Sequence, residues 1–132
     1  VHIPAEKVLV AIDFARGKNL FPDYRDLDVH NTLKALKSLS RLEDVEFVLG
    51  GHGPVKTQDS FMVYHRYLQT QRDRVLNHMV EGKTLEEIKA LVTMNDFRDY
   101  PRIDEYLNSQ LDTMYSYLWR YREPNQPIIM FR

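Results

Sequence analysis

An uninterrupted apolar segment near the start of the chain restricts its fold more than any other feature of the sequence. Residues 8–12 read Val-Leu-Val-Ala-Ile, and Asp13 follows them directly. A short apolar segment without alternation is typical of a strand that is covered on both faces. We therefore predict a strand over residues 8–14, with residues 1–3 as its hairpin partner across the turn Pro4-Ala5-Glu6-Lys7.

The next part of the sequence predicts a parallel strand pair joined by a helix. Residues 15–27 contain glycine, proline and asparagine, which favour a loop. The length of this loop suggests a functional role. A helix is predicted over residues 28–42, with Asp28 as N-cap, and a third strand over residues 46–49. The apolar stripe of that helix consists of Val29, Leu33, Leu36, Leu39 and Leu42. The order strand, helix, strand favours a parallel pair with a crossover helix.

After these elements the sequence predicts helices only. Apolar spacing predicts a long helix over residues 59–82, and Thr84 and Glu87 form the pattern of a capping box that opens a short helix. A last helix is predicted over residues 101–121, followed by an apolar tail over residues 128–131. The fold class is therefore α/β, with the strands confined to the first part of the chain.

Length, charge and cysteine content exclude several classes of protein. The 132 residues suffice for one domain. With 18 basic and 19 acidic residues, the chain lacks the basic excess of proteins that coat nucleic acids or anionic membranes, and we expect neither partner. It has no cysteine, which excludes a disulfide scaffold and thiolate metal sites. We expect a soluble protein without a signal or transmembrane segment in this chain, and the sequence assigns no compartment.

Two polar residues that follow predicted strands could bind a metal. Asp13 follows the second strand, and His52 follows the third within Gly50-Gly51-His52-Gly53-Pro54. Ligands of open α/β folds bind at the carboxyl ends of the strands. Carboxylate and imidazole groups suit zinc, iron and manganese. Two ligands are fewer than a metal site requires, and simple turn roles for both residues are the alternative.

The same residues carry a resemblance to a known family. Val8-Leu9-Val10-Ala11-Ile12-Asp13, together with Val48-Leu49-Gly50-Gly51-His52-Gly53-Pro54-Val55, resembles the second half of a metallo-β-lactamase-fold hydrolase. In that family a strand delivers an aspartate that bridges two metals, and a later Gly-His-Gly-Pro motif binds the second metal. The resemblance covers residues 1–56 and implies the C-terminal half of an αββα sandwich. Residues 57–132 would be a helical extension.

The resemblance also implies metal-assisted hydrolysis of a small-molecule substrate. Two divalent ions would be bound, with zinc as the first choice and iron or manganese as alternatives. Asp13 would bridge both ions and act in catalysis by positioning hydroxide, and His52 would complete the second metal. The ions would lower the pKa of a shared water and polarise the substrate's carbonyl or phosphoryl oxygen. The resemblance does not identify the substrate.

One departure from the family changes what this chain is expected to do alone. The family's main metal motif, His-x-His-x-Asp-His, is absent, and the chain begins with Val1. We therefore expect a portion of a longer protein that is inactive by itself, and its two ligands could leave it without bound metal. The sheet face that the first half covers would be exposed. This predicts association with the missing half or with a second copy, as a homo-oligomer.

The other histidines and the aromatic residues of the last helix favour structural roles. We interpret His2 as a surface or turn residue and His30 as solvent-facing. His65 and His78 lack the spacing of a helical ligand pair. The aromatic residues fit a core and a partly exposed helix face better than a base-stacking surface. They are Tyr106, Tyr115, Tyr117, Trp119 and Tyr121.

Two other functions are compatible with the sequence. The three amphipathic helices after residue 57 could form a non-catalytic interaction or dimerisation module. The chain could also be a degenerate superfamily member that keeps the fold without metals. A His-x-His-x-Asp-His motif upstream of Val1 in the intact parent would favour the hydrolase, and metal analysis of that protein would test the degenerate alternative.

Overall fold

A three-stranded mixed sheet and four α-helices form the described part of the chain, which comprises residues 1–12, 14–51 and 54–121 of a computed structural model. The strands are β1 (His2–Ile3), β2 (Val8–Val10) and β3 (Phe47–Leu49). The helices are α1 (Val29–Ser40), α2 (Asp59–Val80), α3 (Leu85–Leu91) and α4 (Ile103–Arg120). The α/β class is confirmed, although helices dominate. In the described ranges, no helix is both long and apolar enough to cross a membrane.

The sheet has the predicted topology but shorter strands. β1 pairs antiparallel with β2, and β2 pairs parallel with β3 across the crossover helix α1. The predicted strand over residues 8–14 is too long, because the chain turns at Ala11. The backbone amides of Phe14 and Ala15 donate to the Ala11 carbonyl at 3.2 and 3.4 Å. A backbone that closes such a turn cannot continue a strand ladder.

Two helices, α1 and α3, begin at the hydrogen-bonded caps that the sequence predicts. The Asp28 side chain accepts from the Asn31 amide at 3.1 Å and caps α1. The capping box of Thr84 and Glu87 is present in both directions and opens α3. α4 begins two residues later than predicted, at Ile103, because Arg102 before it has a left-handed backbone with φ of 65°.

One continuous hydrophobic core joins the sheet to all four helices. Leu9 and Val48 of the sheet belong to the same buried cluster as the buried apolar residues of α1. α2, α3 and α4 add the buried residues Leu68, Ile88 and Leu118 to it. The helices after residue 57 therefore complete the core of the strand-containing part.

The second face of the sheet is apolar and partly exposed. Val48 of β3 is fully buried, whereas its neighbour Phe47 keeps 50% of its surface exposed. The prediction that β2 is covered on both faces holds fully only for the Leu9 side, since Val8 and Val10 on the other side are only partly buried in the described chain. In this register, the side chains that alternate with Leu9 and Val48 along the strands are apolar and share the second face. This surface, the outer sheet face, consists of Ile3, Val8, Val10, Phe47 and Leu49.

Candidate functional site

Asp13 and His52 themselves lie outside the described residues, as does the predicted tail over residues 128–131. Their assignment as metal ligands therefore stays a prediction. The structure does describe the residues on both sides of Asp13 and His52. These residues show how the two strand-end segments are held.

The segment that contains Asp13 leaves β2 through a closed turn. The Ala11 amide donates to the Leu49 carbonyl at 2.9 Å, which continues the pairing of β2 with β3 by one more hydrogen bond. The Ala11 carbonyl then accepts from Phe14 and Ala15, so the backbone is hydrogen-bonded before and after Asp13. Ala15 is buried, which fixes the far end of the turn in the core.

The described residues before and after positions 52 and 53 are anchored to β3. Val48 of β3 and Lys56 exchange two backbone hydrogen bonds of 2.8 and 2.9 Å as an antiparallel bridge. Residues on both sides of His52 are therefore held against the sheet.

Two glycines bring the strand-end segments into contact. A Cβ atom at Gly50 would lie 3.2 Å from both the Ala15 Cβ and the Ala15 carbonyl oxygen. A Cβ atom at Gly51, where φ is +85°, would lie 3.2 Å from the Ile12 Cγ2 atom. Side chains at these two positions would force the contacting atoms to move by a few tenths of an ångström. Ile12 and Gly51, the residues immediately before Asp13 and His52, are therefore neighbours.

This scaffold is compatible with the donor groups that a divalent metal requires. Asp13 would offer two carboxylate oxygens and His52 one imidazole nitrogen, on segments that the glycines hold close together. Among the described residues no group of three His, Asp or Glu side chains could hold a metal. Further ligands would therefore have to come from beyond those residues.

The loop over residues 15–27 packs against helices of the C-terminal part. The Phe21 ring contacts the Tyr64 ring edge-on, with 5.8 Å between centroids. The Arg16 guanidinium lies 3.7 Å from the centre of the Phe21 ring. The Tyr24 amide donates to the Thr113 hydroxyl at 2.9 Å. Phe21 and Tyr24 therefore anchor the loop that follows Asp13 in the sequence.

A buried polar cluster that the sequence did not reveal fixes this loop. Tyr24 donates its hydroxyl proton to Gln71 Oε1 at 2.5 Å, and Gln71 Nε2 donates to Gln110 Oε1 at 3.0 Å. Tyr67 also donates to Gln110 Oε1, and Gln110 Nε2 donates to the Phe21 carbonyl at 2.7 Å. Burial raises the pKa of Tyr24, so its hydroxyl stays protonated and donates. The buried polar cluster consists of Tyr24, Tyr67, Gln71 and Gln110.

His30 is buried, with only 4% of its surface exposed, so the prediction that it faces solvent is wrong. Its ring packs edge-on against Tyr117, and Arg72 Nε donates to His30 Nε2 at 3.3 Å. The Tyr117 hydroxyl accepts from the His30 amide and donates to the Asp28 carboxylate. Contacts from Arg72 and Tyr117, which lie on other helices, therefore bury His30. Helix periodicity alone could not show such contacts.

The remaining histidines contact other parts of the chain. His2 Nε2 lies 3.2 Å from the Asp44 carbonyl oxygen, and His78 lies 3.3 Å from the Glu81 carboxylate. His65 is partly buried on α2. The aromatic residues of α4 are partly exposed as predicted, with Tyr115 and Trp119 stacked at 5.8 Å.

A cleft of about 770 Å³ lies between the loop and the end of α4. Asp28, Arg120 and Tyr121 line it together with Tyr117, whose pKa burial raises to about 12. The residues that flank Asp13 and His52 do not line it. The cleft therefore gives no support to a substrate pocket at the strand ends.

Comparisons with known proteins assign no family to the chain. No protein-family model matches it, and neither a curated protein nor a solved structure matches it. The chemistry of Asp13 and His52 and the contacts of their neighbours are therefore the support for a function.

Proposed function

We propose that this chain is the C-terminal portion of a metal-dependent hydrolase of the metallo-β-lactamase superfamily. Asp13 would be the metal-bridging ligand and His52 the last histidine ligand. The observation that carries the proposal is the contact between the two strand-end segments, where Gly51 lies against Ile12 at the ends of the parallel strands β2 and β3. Two ligands of one metal centre must lie close together, and the contact between these segments would allow this.

The outer sheet face supports the same proposal. An αββα sandwich stacks two sheets, so each half by itself would expose the face that packs against the other. The outer sheet face is apolar on all three strands, and Phe47 on the edge strand β3 is half-exposed. Apolar surface of this kind is typical of a binding interface.

The chain's own residues would supply part of a metal centre. When bound, the two ions would lower the pKa of a water and polarise the substrate oxygen. Asp13 would hold both ions and His52 would hold one of them, because carboxylate and neutral imidazole groups suit such metals. The other ligands would come from the missing half, so the chain alone would be inactive.

Metal content of the full-length protein that contains this chain tests the proposal. We expect Asp13→Ala and His52→Ala each to weaken zinc binding by more than about tenfold and to abolish hydrolysis, because each removes a direct ligand. Zinc per protein is measured by mass spectrometry after dialysis against a weak chelator. Glu43→Ala and His78→Ala remove the same kinds of donor elsewhere and should change neither quantity. If Asp13→Ala and His52→Ala retained the metal content and activity of the unmodified protein, the site assignment would be wrong.

Association of the isolated chain tests the role of the outer sheet face. We expect a concentration-dependent oligomer in sedimentation velocity, and Phe47→Glu should weaken association on the order of 100-fold by placing a charge in an apolar interface. Val80→Glu adds the same charge at another exposed apolar residue, at the end of α2, and should have no such effect. Oligomers that persist in Phe47→Glu but dissociate in Trp119→Ser would favour the helical interaction module. A monomer at every concentration that also fails to bind the first half would contradict the exposed-face argument.

A further inference from the structure

A basic groove of about 300 Å³ lies between the helices α1 and α2. Lys34 and Lys37 lie three residues apart on α1 and therefore share one face of that helix. His65 and Arg72 face them from α2. The residues that flank Asp13 and His52 do not line this groove. The groove is thus separate from the proposed metal site.

The cations of the groove are only partly neutralised. Arg72 forms an ion pair with Asp73 at 2.9 Å, and Gln69 Nε2 also donates to Asp73 at 2.9 Å. Within the described ranges, the side chains of Lys34, Lys37 and His65 form no hydrogen bond or ion pair. Two ammonium groups and one imidazole therefore remain available for a ligand.

We propose that this groove binds the phosphate group of a small ligand. Lysine ammonium groups and a protonated histidine donate to phosphate oxygens, and their positive charges attract the anion. The groove volume of about 300 Å³ suits a phosphate or diphosphate group. A nucleic acid is disfavoured, because the chain's formal net charge of -1 lacks the broad basic excess that a polyanion needs.

His65 makes the proposed binding dependent on pH. Burial first, and then the charge of Lys37, lowers the pKa of His65, while Asp73 acts in the opposite direction. Lys34, Arg72 and His30 are the other titratable or charged groups that line the groove. A bound phosphate would favour the imidazolium form and raise the pKa of His65, so protonation of His65 strengthens the binding of a phosphate group of fixed charge.

Phosphate titration of the metal-free chain, followed by NMR, tests this proposal independently of the metal site. Inorganic phosphate and pyrophosphate should shift the signals of α1 and α2 around the groove and raise the pKa of His65, measured from its ring Cε1 proton. We expect the double variant Lys34→Gln, Lys37→Gln to bind at least about tenfold more weakly, because two charged contacts are lost. Lys7→Gln removes one exposed positive charge outside the groove and should leave binding and the histidine titration unchanged.

Three outcomes would overturn the proposal. The first is the absence of signal changes at the groove up to millimolar phosphate. The second is equal weakening by Lys7→Gln and by the double variant, which would indicate attraction to the overall charge alone. The third is tighter binding of a single-stranded oligonucleotide than of pyrophosphate at the same residues. Circular dichroism of each variant confirms that the helices are intact.

Discussion

Replacing Gln110 by leucine should lower the free energy of unfolding by about 3 kcal/mol, because it leaves several buried polar groups unpaired. Gln110 is fully buried on α4. Its amide oxygen accepts from Tyr67 at 2.6 Å and from Gln71 at 3.0 Å, and its nitrogen donates to the Phe21 carbonyl. Leucine has a similar volume but can form none of these bonds. Urea denaturation with linear extrapolation measures the change.

Gln69→Leu is the matched control for this substitution. Gln69 is only half-buried, and its side chain donates to a single partner, the carboxylate of Asp73. We expect a loss below about 1 kcal/mol, since solvent can replace that bond. Similar losses in Gln110→Leu and Gln69→Leu would show that the buried polar cluster adds little to stability. The loop that it anchors would then be held by other contacts.

Truncating Leu36 to alanine should cost about 3 kcal/mol, because it opens a cavity in the core. Leu36 lies in the middle of α1 and is fully buried in the cluster that joins the sheet to the helices. Alanine has a higher helix propensity than leucine, so the loss would arise from packing and not from the helix itself. Thermal and urea unfolding should agree on the loss, provided that unfolding is two-state.

Leu42→Ala is the control for this substitution, because Leu42 belongs to the same predicted apolar stripe as Leu36. It lies beyond the end of α1 and keeps 37% of its surface exposed, whereas Leu36 exposes none. Leu42→Ala removes the same atoms and should cost less than about 1 kcal/mol, since little apolar area is lost from the core. A larger loss at Leu42 than at Leu36 would contradict the position of α1 in the core.

Apolar periodicity predicted which segments form helices, but it could not show which residues of an apolar stripe are the most buried. Leu36 and Leu42 repeat at the same spacing in the sequence, yet the helix ends between them. Gln71 and Gln110 show the opposite case, because each occupies an apolar position of its helix and is fully buried. A polar residue on an apolar stripe is the signal that could have revealed the buried polar cluster. Its partners lie on other elements, so sequence spacing cannot identify them.

The sequence by itself determined the features that depend on neighbouring residues. The cap at Asp28, the capping box at Thr84 and the order of strand, helix and strand follow from local hydrogen bonds and from apolar periodicity. The sequence also placed a carboxylate and an imidazole after two strands that pair in parallel, as Asp13 and His52.

Only the tertiary structure decided which distant residues meet. It brought Gly51 against Ile12 and left one side of β2 only partly covered, whereas the apolar pattern of the strand alone had predicted cover on both sides. It also buried His30, which the helix pattern had placed in solvent. The physical reason is the same in each case. Burial and close approach depend on the packing of elements that lie far apart in the chain, whereas caps, turns and periodicity depend on residues only a few positions apart.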